Sequence, residues 1–171
     1  MRQMNWLLAV GFAFLCGCGG GGDDPGGDSS FDQTFVPGQS LGGVLLGDTY
    51  ASVVAAHGEP RTTLPLDDIG LLPAFYGETI MISFADTDGN GQLSPPDTVQ
   101  SIMGISAKGQ GVFRCLGVGT GSTPAEVIAV FGHPVPTTSI DTIFFYRTEN
   151  KTNLAFLVYE GKINMIIVSK D

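Results

Sequence analysis

This chain of 171 residues is poor in the side chains on which enzymes, nucleic-acid-binding domains and disulfide-rich domains depend. It has 2 histidines and 3 cysteines, and neither His57 nor His133 belongs to a recognisable catalytic motif. Basic residues number 8 against 17 acidic ones, so the chain repels phosphate backbones and nucleic acid is excluded as a partner. The composition indicates a non-enzymatic domain whose acidic character favours cationic or metal partners.

The N-terminal apolar run is too short to span a membrane. It extends over about ten residues, Trp6 to Leu15, whereas a bilayer core requires roughly 20. Its position after a basic residue and before Gly17-Cys18 predicts a signal peptide over residues 1–17 that is removed on export. The pattern resembles the bacterial lipobox, which implies that Cys18 receives a diacylglyceryl lipid and anchors the mature chain to a membrane. An ordinary secretory signal with incidental cysteines is the alternative.

A Gly/Asp-rich segment follows the lipidation site and is predicted to be a flexible tether over residues 18–37. It has almost no side chain to bury and so cannot offset the entropy lost on ordering. A coil of this length reaches on the order of 25 Å, enough to display a domain clear of lipid headgroups. We therefore expect a lipid-anchored domain in the cell envelope, at the outer membrane and facing the periplasm. With Cys18 acylated, Cys115 is the only thiol left and no intramolecular disulfide can form.

One segment of the chain occurs twice. Residues 43–60 recur as residues 117–134, at an offset of 74 positions. The identical pairs include the positions that open and close a short helix: Gly47/Gly121, Thr49/Thr123, Ala51/Ala125, Val53/Val127, Ala55/Ala129, Gly58/Gly132 and Pro60/Pro134. This self-similarity predicts two copies of one supersecondary unit, a first repeat over residues 38–108 and a second over residues 109–171.

Each copy is predicted to contain a helix of about eight residues, short enough to be marginally stable alone. In the second copy, Thr123 and Glu126 form a capping-box pattern, and Gly132 supplies the residue that ends the helix. In the first copy, either Asp48 or Thr49 can act as the N-cap. Both helices must therefore pack on a sheet.

Three strands are expected after each helix, from runs of β-branched and aromatic residues bounded by turn residues. Their predicted positions are Ala74–Tyr76, Thr79–Ala85 and Thr98–Ser106 in the first copy, and Thr142–Arg147, Leu154–Tyr159 and Ile163–Ser169 in the second. The predicted fold class is α+β: two repeats, each a short helix followed by a three-stranded antiparallel meander, packed as one joined sheet with the helices on one face.

Helix caps, core positions and an aromatic strand share one spacing pattern in the second copy. The positions are Gly121, Thr123, Val127, Phe131, Gly132, Pro134, Tyr146, Gly161, Ile163 and Ile166. This pattern resembles the SmpA/OmlA lipoprotein family, and in tandem it resembles the β-lactamase-inhibitor-protein fold, where two repeats grip another protein in a concave sheet. The resemblance implies an envelope-assembly or protein-binding role. The chain departs from the first pattern at His57, which replaces a bulky apolar residue, and it lacks the disulfides of the second.

The loop between the last two predicted strands of the first copy, residues 86–97, has the spacing of a calcium-binding loop. Oxygen-bearing residues alternate along it and glycine stands at the sharp turn, as suits Ca²⁺ with its about 6–8 oxygen ligands. The predicted ligands are Asp86, Asp88, Asn90, Gln92, Ser94 and Asp97. We expect a weak structural site, with a Kd of roughly 10⁻⁴–10⁻³ M. A solvated acidic hairpin with an Asn-Gly turn is the alternative.

These features predict a non-enzymatic scaffold that binds an unidentified protein in the envelope and is stabilised by calcium. The expected binding surface is the sheet face that the helices leave free. The candidate protein-binding residues are Phe144, Tyr146 and Tyr76, with Phe75 and Phe145 as further aromatic residues of the predicted strands. Alternation places Phe144 and Tyr146 on one face and Ile143 and Phe145 on the other, and core packing decides which pair points outward. Inhibition of a secreted hydrolase through the concave sheet face is the alternative function, and an enzyme of unknown type is a third.

Overall fold

The computed structural model of this chain describes residues 31–65, 70–106, 113–135 and 142–171. Within these ranges the fold is α+β, as predicted, with two helices, a 7-stranded antiparallel sheet, a 3-stranded sheet and a 2-stranded sheet. The helices are α1 (Tyr50–His57) and α2 (Pro124–Phe131). The strands are β1 (Phe35–Val36), β2 (Ser40–Leu41), β3 (Val44–Leu45), β4 (Thr62–Thr63), β5 (Leu71–Tyr76), β6 (Ile80–Ala85), β7 (Thr98–Ile105), β8 (Arg114–Cys115), β9 (Val118–Gly119), β10 (Ile143–Arg147), β11 (Thr152–Tyr159) and β12 (Lys162–Lys170). Neither described helix has the length and apolar character needed to cross a bilayer.

The large sheet consists of two three-stranded antiparallel meanders joined side by side, with the two-residue strand β4 at one edge. Its strand order is β10-β11-β12-β7-β6-β5-β4. The meander β5–β6–β7 follows α1 in the chain, and the meander β10–β11–β12 follows α2. They meet where β12 pairs with β7, in a register that runs from Met165 opposite Ile105 to Ser169 opposite Ser101. All six strands expected from the sequence are present, with small differences at their ends.

Both helices begin and end on the residues that sequence spacing indicates. Thr49, and not Asp48, is the N-cap of α1, since its hydroxyl accepts the Ser52 N–H at 3.2 Å. In α2 the capping box is complete: the Thr123 hydroxyl accepts the Glu126 N–H at 3.3 Å, and the Glu126 carboxylate accepts the Thr123 N–H at 2.7 Å. These bonds satisfy donors that a helix N-terminus otherwise leaves unpaired.

A β-hairpin with strands of two residues precedes each helix, and neither hairpin was predicted from the sequence. The hairpins are β2–β3 and β8–β9, and they lie 74 positions apart. Gly42 and Gly43 have φ angles of 67° and 88° at the first turn, while Leu116 and Gly117 have 52° and 83° at the second. Two successive positive φ angles are those of a type I′ turn, so Gly42-Gly43 was the available signal. Strands of two residues are too short to show alternation.

The main core lies between the helices and one face of the large sheet. Sheet side chains such as Ile82, Ile102 and Phe156 are fully buried there. Each helix buries one side chain completely or nearly so, Val53 in α1 and Val127 in α2. Helices with so little buried surface of their own depend on the sheet beneath them, as their length predicts.

The prediction of a tether over residues 18–37 is wrong for residues 31–37, which belong to the folded domain. Phe31 is 8 % exposed and Phe35 is 2 % exposed, and both belong to the main core. Their aromatic rings bury enough apolar surface to order the chain around them. Residues 18–30 of the predicted tether, with the lipidation site Cys18, lie outside the described residues.

Candidate functional site

The loop between β6 and β7 folds around the carboxylate of Asp86. One oxygen of Asp86 accepts hydrogen bonds from the N–H groups of Gly89 (2.8 Å) and Asn90 (3.1 Å), and the other accepts from Gly91 (2.8 Å). Gly89 and Gly91 have φ angles of 71° and 72°, in the left-handed region that L side chains rarely adopt. The two glycines therefore allow three consecutive N–H groups to point at one carboxylate.

Asp97 closes the loop from its buried side. The residue is 0 % exposed, and one carboxylate oxygen accepts the Thr87 N–H at 2.8 Å. The other oxygen accepts the Ser94 N–H at 2.7 Å and lies 3.0 Å from the Ser94 hydroxyl, which is also 2.9 Å from an oxygen of Asp88. The hydrogen bond from Ser94 is the main cause that lowers the pKa of the Asp88 carboxyl. Asp88 is therefore ionised at neutral pH.

Three carboxylates converge in this loop. Asp86, Asp88 and Asp97 each offer one oxygen, and these atoms lie within 4.8 Å of one another. Asp97 is buried, Asp86 is half-buried and Asp88 is exposed, so the group opens to solvent on one side. Like charges at this separation repel, and a cation among them would relieve the repulsion. The arrangement can therefore hold a metal ion.

The remaining predicted ligands divide into two groups. Ser94 joins the carboxylate cluster through its hydroxyl. Asn90 directs its side-chain oxygen to the Gln92 N–H at 2.6 Å and donates from its amide to Asp88 at 2.9 Å. Both Asn90 and Gln92 are exposed. The structure thus brings Asp86, Asp88, Ser94 and Asp97 together and joins Asn90 to them through Asp88. The side chain of Gln92 is exposed, and the ligand predicted for Gln92 is its carbonyl.

The end of the loop lies against the first turn of α1, a contact that sequence reasoning missed. The Tyr50 N–H donates to the Asp97 carbonyl at 2.7 Å, and the Ala51 N–H donates to the Pro95 carbonyl at 3.3 Å. Both N–H groups belong to the helical turn that has no intrahelical acceptors. The loop therefore completes the N-terminus of α1, and no local pattern connects two segments so far apart in the chain.

The second face of the large sheet, opposite the helices, carries a separate apolar cluster. Its buried members are Met81, Met103, Ala155 and Ile167, and its half-buried members are Phe75, Ile105, Ile143, Phe145, Leu157 and Met165. Every described member belongs to a strand, and none belongs to a helix. This cluster, which we call the second-face cluster, is therefore built by the sheet alone within the described part of the chain.

Strand register arranges this face in rows. One apolar row crosses six strands through Phe75, Met81, Met103, Ile167, Ala155 and Phe145. A polar row runs beside it through Ser83, Ser101, Ser169 and Asn153. Asn153 is 8 % exposed, and its side-chain oxygen has no hydrogen-bond partner among the described residues. The centre of the apolar row, formed by Met81, Met103, Ile167 and Ala155, is 2–3 % exposed, and the hydroxyl and amide groups that border it are also buried.

The three aromatic residues predicted to bind protein lie on the core face instead. Tyr76 is 1 % exposed, and Phe144 and Tyr146 pack against the main core. The Tyr146 hydroxyl donates to the Gly132 carbonyl at 3.0 Å, and burial raises its pKa. Their placement on a free face is therefore corrected. Phe144 and Tyr146 lie on the face of β10 toward α2, where Tyr146 contacts Phe131, and Phe145 lies on the opposite face. Tyr76 is at the end of β5 and contacts Phe31 in the same core.

The described cysteine is not an activated nucleophile. Cys115 is free and half-buried in β8. Burial raises the pKa of its thiol, which keeps the thiol protonated at neutral pH. This environment agrees with its interpretation as a small apolar side chain packed against the main core.

Comparison with known proteins identifies a similar fold and no family. No protein-family model matches the chain, and no curated protein matches it. Among solved structures, the chain is similar to a DUF4309 family protein from Bacillus subtilis, with a TM-score of 0.50 and 15% identity over 77% of this chain and 84% of that one. It is also similar to a cysteine-rich secretory protein from Staphylococcus aureus, with a TM-score of 0.47 and 11% identity over 74% of this chain and 43% of that one. At these identities the first likeness shows the fold alone.

Proposed function

We propose that this chain is a non-enzymatic, lipid-anchored domain of the bacterial cell envelope that binds a protein partner through the second face of its large sheet. The observation that carries the proposal is the apolar row across that face. All three methionines beyond the first four residues, Met81, Met103 and Met165, belong to the second-face cluster. Methionine is flexible and polarisable, and it is frequent at surfaces that bind other proteins. The centre of the row is buried, so the half-buried members of the cluster, such as Phe145, Leu157 and Met165, are the side chains that a partner would contact.

The N-terminal sequence supports the proposed location of the domain in the cell envelope. An apolar run of about ten residues before Gly17-Cys18 is suited to an exported lipoprotein and not to a membrane-spanning helix, which needs roughly 20. The acyl chains on Cys18 would attach the mature chain to the membrane, with the domain in the periplasm. The excess of acidic over basic residues excludes an additional attraction to anionic lipid headgroups.

We further propose that the cation held by Asp86, Asp88 and Asp97 is Ca²⁺ and that its role is structural. The available donors are all oxygens, from carboxylates and one hydroxyl, and hard Ca²⁺ prefers such donors in flexible geometry. Since the loop ends on the first turn of α1, ordering the loop would also stabilise that helix. The exposed position of Asp88 is appropriate to a weak site.

We infer that the two halves of the domain are copies of one unit. A hairpin, a capped helix and a three-stranded meander occur in the same order twice, and both the hairpins and the helices are displaced by 74 positions. This order supports the resemblance to the SmpA/OmlA lipoproteins and to the tandem inhibitor fold. The calcium-type loop occurs in the first copy only, where the second has the Glu160-Gly161 turn.

Site-specific photo-crosslinking tests the binding face. A photoreactive amino acid at Met165, in the second-face cluster, should yield a covalent adduct with a partner in intact cells. The same amino acid at Val130, 39 % exposed on α2, is the matched control and should not. An adduct with an outer-membrane component supports the scaffold function, whereas a single soluble hydrolase indicates the inhibitor function. Equal adducts at both positions, or none at Met165, would contradict the assignment of this face.

A further inference from the structure

The small sheet β1–β2–β3 has one face in the core and one face in solvent. Residues that pair across neighbouring strands lie on the same face of a sheet. The core face consists of three paired residues that are at most 2 % exposed, Phe35, Leu41 and Val44. On the other face, Val36 and Leu45 stand on either side of Ser40 and are 43 % and 51 % exposed. The small sheet therefore carries exposed apolar side chains on its outer side.

The hairpin β8–β9 extends this outer side. Thr34 and Arg114 form a parallel bridge that places β8 beside β1. Val36 and Leu116 each follow that bridge by two positions, in segments that run in the same direction. Side chains alternate between the two faces along a strand, so Leu116 lies on the same side as Val36. We call this surface, formed by Val36, Leu45 and Leu116, the outer apolar face.

Leu116 occupies a position that neither the turn nor the core favours for leucine. Its φ angle is 52°, in the left-handed region that side chains disfavour, and Gly42 stands at the corresponding position of the first copy. Its side chain is 77 % exposed, so the domain buries little of it. An unfavourable backbone conformation combined with an exposed apolar side chain points to a contact outside the domain.

The outer apolar face points away from the second-face cluster. A Cβ atom added at Gly104 of β7 would lie 3.0 Å from Cδ2 of Leu41, so the core face of the small sheet packs on β7. Gly104 follows Met103, a member of the second-face cluster, and therefore lies on the opposite face of the large sheet. The order of layers is second-face cluster, large sheet, core, small sheet and outer apolar face.

We propose that the outer apolar face rests on the lipid bilayer to which Cys18 anchors the chain, at the boundary between headgroups and acyl chains. Leucine side chains lie at this depth when a protein segment binds in the membrane interface. Residues 19–30, as a flexible coil, reach on the order of 20 Å, and Val36 follows soon after them in the chain. The excess of acidic residues favours an apolar contact over an electrostatic one.

This inference rests on the proposed lipid anchor and orients the proposed binding face. With the small sheet on the membrane, the second-face cluster is directed away from the lipid and toward the periplasm. A protein partner can reach it there without displacing the domain from the bilayer.

Tryptophan fluorescence in vesicles tests the membrane contact. The chain has 1 tryptophan, Trp6, which lies in the predicted signal peptide. In a Trp6→Phe background, the probe variant is Leu116→Trp and the control is Met165→Trp, in the second-face cluster. The lipidated chain is reconstituted into phosphatidylcholine vesicles with or without brominated acyl chains, which quench tryptophan on contact. Leu116→Trp should lose fluorescence in the brominated vesicles, and Met165→Trp should not.

Charge variants test whether the outer apolar face acts as a unit. Val36→Trp should also be quenched, and Leu45→Asp combined with Leu116→Asp should remove this quenching, because a carboxylate is costly to transfer out of water. Leu64→Asp combined with Val135→Asp is the matched control. These residues are 41 % and 47 % exposed and lie beside the edge strands β4 and β10, and the quenching of Val36→Trp should persist in this background.

Three results would overturn the proposal. They are an unquenched Leu116→Trp in a chain that floats with the vesicles, which would favour a protein as the occupant of this face, stronger quenching at Met165→Trp, and equal loss of quenching in both charge variants. A chain that does not float refutes the lipid anchor instead. The contact is then measured on the same variants coupled to a maleimide lipid through Cys18, with Cys16→Ser and Cys115→Ser, so the two failures are distinguishable.

Discussion

Calcium should raise the melting temperature of this domain, and removal of two loop carboxylates should abolish the rise. Asp86, Asp88 and Asp97 place three oxygens within 4.8 Å, and only the native fold holds them there. An ion that binds the native state and not the unfolded one stabilises by RT ln(1 + [L]/Kd), which is about 1.4 kcal/mol at ten times the Kd. For the weak site proposed here, with a Kd of roughly 10⁻⁴–10⁻³ M, about 10 mM calcium reaches that ratio.

The expected rise in melting temperature depends on the size of the domain, and its extent along the chain depends on the contact of the loop with α1. A change of about 1 kcal/mol moves the melting temperature of small domains by roughly 2–8 °C, so we expect a rise of several degrees. The loop supplies acceptors for the Tyr50 and Ala51 N–H groups, so the stabilisation should extend to α1. Hydrogen exchange of these two amides should therefore slow with calcium in the same concentration range as the melting temperature rises.

The assay is differential scanning calorimetry of chelator-stripped protein, titrated with calcium. Asp86→Ala combined with Asp88→Ala should remove the response. The control, Asp67→Ala with Asp68→Ala, removes the same charge outside residues 86–97 and should retain it. Magnesium at equal concentration should have a smaller effect, because it demands near-ideal octahedral geometry and gives up its water reluctantly. A wild-type melting temperature that does not change with calcium would refute calcium binding and favour the alternative, a solvated acidic hairpin.

Three further changes test separate parts of the molecule. Cys18→Ser should block lipid attachment, and fatty-acid labelling that persists in the variant would contradict the assignment of Cys18 as the lipidated residue. Asp97→Asn should lower stability by about 1–3 kcal/mol even in chelator, as urea denaturation can measure, because the amide NH2 must face one of the two N–H groups, of Thr87 or Ser94, that the carboxylate accepts. Thr123→Ala should cost about 1 kcal/mol by removing the capping box of α2, and an unchanged denaturation midpoint would show that this cap is dispensable.

Features set by neighbours in the chain could be read from the sequence. The capping box of α2 joins residues three positions apart, Thr123 and Glu126, so spacing alone indicates it. The ends of α1 and α2 follow from Gly58 and Gly132 for the same reason. The loop of residues 86–97 was recognisable because its glycines and carboxylates interact within a few positions. The alternation of apolar residues likewise predicts the long strands.

Where the local sequence allows two arrangements, only the tertiary structure determines which one forms. Alternation divides the side chains of β10 into two sets, but only the docking of α2 assigns Tyr146 to the core and Phe145 to the second-face cluster. The pairing of β12 with β7, the contact of Asp97 with Tyr50, and the stacking of Phe31 on His57 join residues far apart in the chain. Such contacts depend on the packing free energy of the whole domain, which must exceed the entropy of closing long loops, and no local propensity encodes that balance.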